Sequence, residues 1–351
     1  MLPRVRVHTI ALVGLLLLGV FYTLYFASAV FIPIALALLF SLLLAPLVRR
    51  LARIGVPEAL GAAIVLALVL GGVLFGIFRL AEPATDWLGR APYSFARLED
   101  RIRDLRAPVE QVQEATRKVE ELADMNDGPR PSVVVEGPGL AQSLAIGTYS
   151  ALTAAAITVV LLYFMLASGD LFLLKLVQAL PRLRDKKLAI EIARRSEREI
   201  SAYLLTVTCV NAVLGVITGI SMHLLGMPNP VLWGVVAGTL NFIPYLGPTL
   251  TIAILAFVAL LSFDTWPEIL LPPLVFMFLT ALEGQLITPF VVGRRLMLNP
   301  VVIFISLLIW GWLWGIPGML MAVPLLAAFK ILCDHIEPMT PFGAFLGRRD
   351  E

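Results

Sequence analysis

The sequence predicts an all-α polytopic membrane protein. It should have about six full transmembrane helices, two re-entrant (broken) helical hairpins in an inverted repeat, and a small external helical domain. Three observations carry this expectation. The 351-residue chain is 59% apolar and 15% charged, where soluble domains run about 25% charged. The charges are gathered in a few segments, leaving long uncharged runs between them. Two apolar stretches late in the chain are each interrupted in the middle by Pro and Gly.

Thr9–Val48 holds no charge for 40 residues, enough for two crossings of about 20 residues each, with a turn near Ser28–Pro33. A signal peptide ending near Ala27–Ala29 is the competing reading. The run is longer than such a core, and a second apolar run follows at once. Arg4 and Arg6 precede the pair, and Arg49, Arg50 and Arg53 follow it. The excess of basic residues in cytoplasmic segments puts both ends inside. Leu60–Leu80 is a third span, running outward, and its Gly61, Gly71, Gly72 and Gly76 permit close helix approach.

Residues 81–140 form the expected external domain. Leu98, Ile102, Leu105, Val109, Val112, Thr116 and Val119 recur at alternating steps of four and three, a helical stripe that Pro108 interrupts. An amphipathic helix pair lying on the membrane domain is the preferred reading, and an inter-subunit coiled coil is the alternative. A fourth span, about Gln142–Ala167, returns inward. Asp170–Glu199 then carries eight basic residues against five acids, which marks it as cytoplasmic.

The last third reads as a duplication. Met227–Val231 (MPNPV) is matched 70 residues later by Met297–Val301 (MLNPV). Ile243-Pro244 is echoed by Ile316-Pro317, and Gly247 by Gly318. The arms of the first broken element are Val231–Ile243 and Thr249–Leu261; those of the second are Val301–Trp314 and Met319–Cys333. Each element follows a long apolar helix: the fifth span, about Tyr203–Gly226, and the sixth, about Glu268–Pro289. Arms of 13 residues in the first element are too short to cross alone.

If each broken element crossed once, Arg294 and Arg295 would lie outside. If each is a hairpin returning to its own side, these residues and Arg348 and Arg349 are cytoplasmic, as the charge rule requires. The hairpins then enter from opposite sides, as in inverted-repeat transporters. The expected organisation is therefore 1–80 (helices one to three), 81–140 (external domain), 141–199 (fourth helix and basic segment), 200–263 (repeat A), 264–335 (repeat B) and 336–351 (cytoplasmic tail).

Broken helices free backbone N–H and C=O groups that protein, water or ligand must satisfy. Asn241, Pro244, Tyr245, Gly247 and Pro248 at the first break, and Gly315, Pro317 and Gly318 at the second, are thus candidates to line a path for a small polar solute or a cation. Purely structural turns remain the alternative. Glu283 interrupts the sixth span beside Gln285 and Thr288. A carboxylate at that depth is a candidate coupling or ion-binding group for a proton or sodium, and it could equally bond freed backbone. Thr206, Thr208 and Asn211 on the fifth span are secondary candidates, since such groups commonly bond between helices.

Cys209 and Cys333 give neither a disulfide framework nor metal spacing. There is no phosphate-binding loop and no nucleophile–base constellation. The sequence thus predicts no enzyme, no cofactor and no metal. A net charge of +2 gives no reason to expect nucleic acid; membrane lipid is the expected surrounding.

Several of these segments resemble the autoinducer-2 exporter family of bacterial membrane proteins. They are Pro228–Gly234 (PNPVLWG) with Asn241–Pro248 (NFIPYLGP), Glu283–Pro289 (EGQLITP) with Val292–Arg295 (VGRR), and Gly315–Met319 (GIPGM) with Ala322–Pro324 (AVP). Tyr163–Met165, Gly169-Asp170 and Leu180-Pro181 resemble its fourth-span exit. After Tyr203 this chain has Leu-Leu-Thr206-Val-Thr208 where many members carry Gly-Gln. The resemblance implies a multi-pass inner-membrane transporter, in some members exporting a furanone signal and in others exchanging sodium for protons. It also implies a homo-oligomer.

Overall fold

In an apolar run each backbone N–H and C=O needs a partner within the protein, and a helix supplies one inside the segment. A computed structural model describes residues 4–87, 140–169, 183–292, 298–336 and 339–347. The described residues are helical apart from turns and one isolated bridge between Leu298 and Gly347.

The helices are α1 (Arg4–Phe26), α2 (Ser28–Arg53), α3 (Glu58–Trp87), α4 (Leu140–Ala167), α5 (Leu183–Leu224), α6 (Pro230–Leu240), α7 (Leu246–Ser262) and α8 (Trp266–Leu282). A π-helical turn, Glu283–Ile287, leads into α9 (Thr288–Val292), followed by α10 (Pro300–His335) and α11 (Thr340–Leu346). Most of the expected external domain, with its stripe from Leu98 to Val119, lies outside the described residues, as do Arg294, Arg295, Arg348 and Arg349.

Among the described residues, six helical segments are long and apolar enough, by length and composition alone, to cross a membrane: α2, α3, the Ser150–Ala167 part of α4, the Ile190–Leu224 part of α5, Trp266–Ile287 and α10, the last counted across its break at Gly315. Large apolar side chains cover the outer faces, among them Phe78, Phe164, Val216 and Phe278. This is a multi-pass membrane protein. The fifth span is longer than its apolar stretch alone suggests. α5 runs unbroken for 42 residues and takes in the basic residues from Arg184 onward, so the expected boundary at residue 199 falls inside one helix.

Four apolar clusters join the helices. Ala37, Leu44 and Val48 of α2 pack on Ala62, Val65 and Leu66 of α3 and Leu162 and Leu166 of α4. Leu39 of α2 shares a second cluster with Ile200, Tyr203 and Leu204 of α5 and Leu313, Met321 and Ala327 of α10. Met222 of α5 meets Trp233 and Ala237 of α6, Leu255 and Val258 of α7 and Phe276 of α8. The fourth cluster joins Ile243 to α10.

Prolines create vacancies that neighbouring helices fill. Pro46 lies inside α2 and has no N–H for the carbonyl four residues earlier, that of Leu42. Ser201 of α5 donates its hydroxyl to that carbonyl. At the end of α1, where carbonyls lose their helical partners, the Leu24 carbonyl accepts from Trp314 Nε1 at 3.0 Å. Arg49 of α2 also pairs with Glu197 of α5.

α5 and α6 meet backbone to backbone. Gly215 and Gly219 of α5 face Gly234 and Gly238 of α6; a Cβ on Gly234 would lie 2.6 Å from the Gly215 carbonyl oxygen, and one on Gly238 2.8 Å from that of Asn211. Four-residue glycine spacing on both helices makes this approach possible.

The C-terminal helix clasps α10. The Asn299 N–H donates to the Leu346 carbonyl at 3.0 Å, and Gly343 lies against Asp334, which accepts from the buried Lys330 at 2.6 Å. His335 Nε2 stands 3.5 Å from Glu199 of α5.

Two outcomes follow for thermal unfolding of the purified protein in detergent. Ser201→Ala should cost about 1–3 kcal/mol by leaving the Leu42 carbonyl unsatisfied, and less in a Pro46→Ala background, where the N–H is restored. Gly234→Ala should destabilise by about 1–3 kcal/mol through overpacking. Gly71→Ala, which meets nothing within 4 Å, should not destabilise.

Candidate functional site

The two sequence breaks lie at turns where the chain folds back. α6 ends at Leu240, and Tyr245, just before α7, has φ 64° and ψ −53°, a conformation costly for any residue with a side chain. Trp233 near the start of α6 and Val258 near the end of α7 share one cluster, so the two helices run antiparallel. Gly247 is buried at this turn, where a Cβ would collide with the Leu240 carbonyl. Thr251 caps the same region by donating to the Gly247 carbonyl at 2.9 Å.

α10 turns back in the same way at Gly315, whose φ of 62° and ψ of −140° lie outside the helical range. Ser306 Oγ donates to the Ala322 carbonyl at 3.1 Å. Sixteen residues of straight helix would hold them about 24 Å apart. Gly318 presses on the Trp310 carbonyl as Gly247 does on Leu240. Pro230 and Pro300 both occupy a first helical turn; Asn299 accepts from the Val301 N–H at 3.0 Å, whereas Asn229 is left-handed and makes no such cap.

The first turn contacts the second fold-back. Ile243 is buried against Leu307 of the first arm of α10 and Ala322 of the second. Pro244 and Pro248 are half-buried, Gly247 is buried, and Tyr245 is 51% exposed. Gly315 is exposed, Pro317 half-buried and Gly318 buried. Ile243 joins the first break to α10.

Asn241, the residue after α6, donates from Nδ2 to Asn211 Oδ1 at 2.8 Å. Asn211 is 3% exposed, and its own Nδ2 has no hydrogen-bond partner among the described residues. Two turns along α5, the fully buried Thr218 Oγ1 is also unpartnered. A buried polar group without a partner costs about 1–3 kcal/mol; Ser196 Oγ, earlier on α5, is another such group. Thr206 and Thr208 are half-buried on α5.

Glu283 opens the π turn, half-buried, and its carboxylate accepts from Thr288 Oγ1. Gln285 is exposed and no contact joins it to Glu283. π turns recur at functional sites, and nothing in the residue pattern announced this one. The glycine seam of α5 and α6 was also missed, although its signal is in the sequence: G-x-x-x-G at 215–219 and again at 234–238. Among the described residues no three His, Cys, Asp or Glu side chains are grouped to hold a metal ion.

Comparison with known proteins gives this arrangement its context. The AI-2 transport protein TqsA of Escherichia coli K12 is 27% identical over 322 residues, covering 88% of this chain and 87% of its own. YhhT of the same strain is 28% identical over 331 residues, covering 92% and 89%. YrrI of Bacillus subtilis is 27% identical over 323 residues, covering 89% and 88%. The latter two are provisionally named transport proteins. Residues 15–337 match the family described as AI-2E family transporter. The chain belongs to the AI-2E transporter family.

Proposed function

We propose that this chain is a secondary transporter of the bacterial inner membrane, with both termini cytoplasmic. It exports a small polar solute of the autoinducer-2 kind, driven by a proton or sodium gradient. The observation that carries this reading is the seating of Ile243, at the first turn, between the two arms of α10.

Helices α6 and α7, of 11 and 17 residues, reach about 17 and 26 Å, short of a hydrocarbon core of about 30 Å. A hairpin returning to its own side suits such lengths. Leu307 and Ala322 lie eight and seven residues from Gly315, about 11 Å along a helix. Hairpins entering from opposite sides, with reaches summing to more than one core thickness, would pass each other by such a distance. This supports the inverted repeat and a route past the two breaks, as in transporters that bind solute near mid-membrane.

Glu283 is the proposed coupling group. A carboxylate inside a membrane span is costly unless it serves a path, and the Thr288 hydroxyl at its side can follow its change of protonation. Asn241 and the turn through Pro248 would line the route, with Gln285 at its margin. The relative named as an AI-2 transport protein supports the solute class. The Glu283–Thr288 pair also favours a second reading, sodium–proton exchange, because hydroxyl and carboxylate oxygens suit an alkali cation. A scaffold acting through the external helices draws on residues outside those described. Copies of the chain would assemble in the membrane through their apolar outer faces.

The test uses inverted vesicles containing the protein, with an imposed pH gradient. Glu283→Gln should fold normally and slow gradient-driven autoinducer-2 movement at least tenfold, the factor corresponding to about 1.4 kcal/mol. Gradient dissipation on adding sodium alone, lost in Glu283→Gln, would replace the export reading with sodium–proton exchange.

A further inference from the structure

We propose that α11 is an interfacial anchor. Its outer face, built on Phe342 and Phe345, seats in the headgroup–acyl boundary of the leaflet on its own side of the membrane and ties the base of the second hairpin to the lipid surface. The inference rests on the multi-pass fold and is independent of the transport reading.

The level of α11 follows from the charges around it. α2 is uncharged from Ser28 to Val48, α5 from Ile200 to Met222 and α10 from Pro300 to Phe329. Charged residues bound each run: Arg49 on α2, Glu199 on α5 and Lys330 on α10. In the fold these boundaries come together. Arg49 pairs with Glu197, Glu199 lies 3.5 Å from His335, and Lys330 holds Asp334 at 2.6 Å. Charge is costly inside hydrocarbon, so three helices place its edge at one level. α11 lies at that level. A Cβ on Gly343 would strike the Asp334 carboxylate, and one on Gly347 would lie 3.4 Å from Lys330 Cε. The Leu346 carbonyl accepts from Asn299 at the head of α10. α11 therefore reaches from the tail of one arm of α10 to the head of the other, across the base of the hairpin.

The outward face decides what such a helix meets. Phe342 is 62% exposed and Phe345 72%, and residues 340–346 carry no charge. Phe342 and Phe345, three apart, share one side of the helix; Gly343 and Leu346, also three apart, are buried on the other. A helix face turned to water carries charged or polar residues, and this one does not. A second copy of the chain suits it poorly. Two phenylalanines bury at most about 500 Å², whereas a stable protein contact takes about 800 Å² per partner. A leaflet boundary suits it well, because the apolar face of a surface-lying helix enters by about 5–10 Å. Arg348 and Arg349 follow, but so do Asp350 and Glu351, so apolar insertion rather than charge carries the contact. A helix this short is not stable alone in water; the clasp holds it on one side and lipid on the other.

The experiment uses the full-length protein in vesicles of phosphatidylethanolamine and phosphatidylglycerol. Cys209→Ala removes the exposed thiol, and Cys333 is buried, so a nitroxide attaches at one introduced cysteine. The sites are Phe342→Cys and Phe345→Cys. Phe278→Cys on the outer face of α8 is the lipid standard, and Arg53→Cys at the end of α2 is the water standard. Electron paramagnetic resonance reads collisions with oxygen, which dissolves in lipid, and with a nickel chelate, which stays in water. The replaced rings are exposed, so both variants should fold as the parent does. Both α11 labels should lie about 5–10 Å below the phosphates, with nickel collisions severalfold fewer than at Arg53→Cys.

Nickel collisions equal to those at Arg53→Cys would put the face in water and overturn the proposal. Few collisions with either reagent would mean that protein covers the face and would overturn it too; dipolar broadening between labels would identify that cover as a second copy. None of these outcomes depends on what the protein transports, so the proposed function stands or falls separately.

Discussion

Each backbone carbonyl and amide released by a proline or a chain reversal has to find a partner where water is scarce, and the arrangement of the helices follows from how that is done. Ser201 answers the carbonyl that Pro46 strands. Trp314 reaches 290 residues back to the end of α1. Ser306 ties one arm of α10 to the other. These are bonds between elements, so they fix relative positions in a way that apolar packing, which has no direction, does not. α2, α5 and α10 form the frame around which the shorter α6 and α7 are set.

Within that frame, the contact between α5 and α6 is of another kind. It consists of glycine backbones in close approach, flanked by the buried cluster of Met222, Trp233 and Ala237 and by a buried asparagine and threonine that the packing does not satisfy. Interdigitated side chains resist displacement because each must leave its slot. The unsatisfied groups lower the cost of any arrangement that brings water or solute to them. The α5–α6 seam is the closest helix–helix approach among the described residues, set by backbone rather than by large side chains.

Much of this was legible before any coordinates. The uncharged runs gave the helices, because charge and apolar composition are local properties. Both breaks were visible, since proline and glycine act on the residues around them: Gly315 takes a positive φ, and Gly247 and Gly318 each meet a carbonyl that a side chain would strike. What escaped depends on partners distant in sequence. Asn211 and Asn241 could each be named from type and position. Nothing local says that they bond to one another. A linker helix suits the basic segment by composition, but its continuity with the fifth span was missed because the change from charged to apolar residues looks like a boundary. The π turn at Glu283 was missed because one extra residue per turn leaves no compositional trace.

The clasp at the end of the chain bears on how the molecule is made. Asn299, at the head of α10, is bonded to Leu346, and Leu298 bridges Gly347. Synthesis proceeds from the N-terminus at about 5–20 residues per second. The partners of Leu298 and Asn299 are therefore translated several seconds after them. During that interval α10 can turn back at Gly315 and receive Ile243, but its base stays open. Assembly of this region waits until Leu346 and Gly347 have been made. A variant without α11 would insert its helices and still lack the fastening at the head of α10.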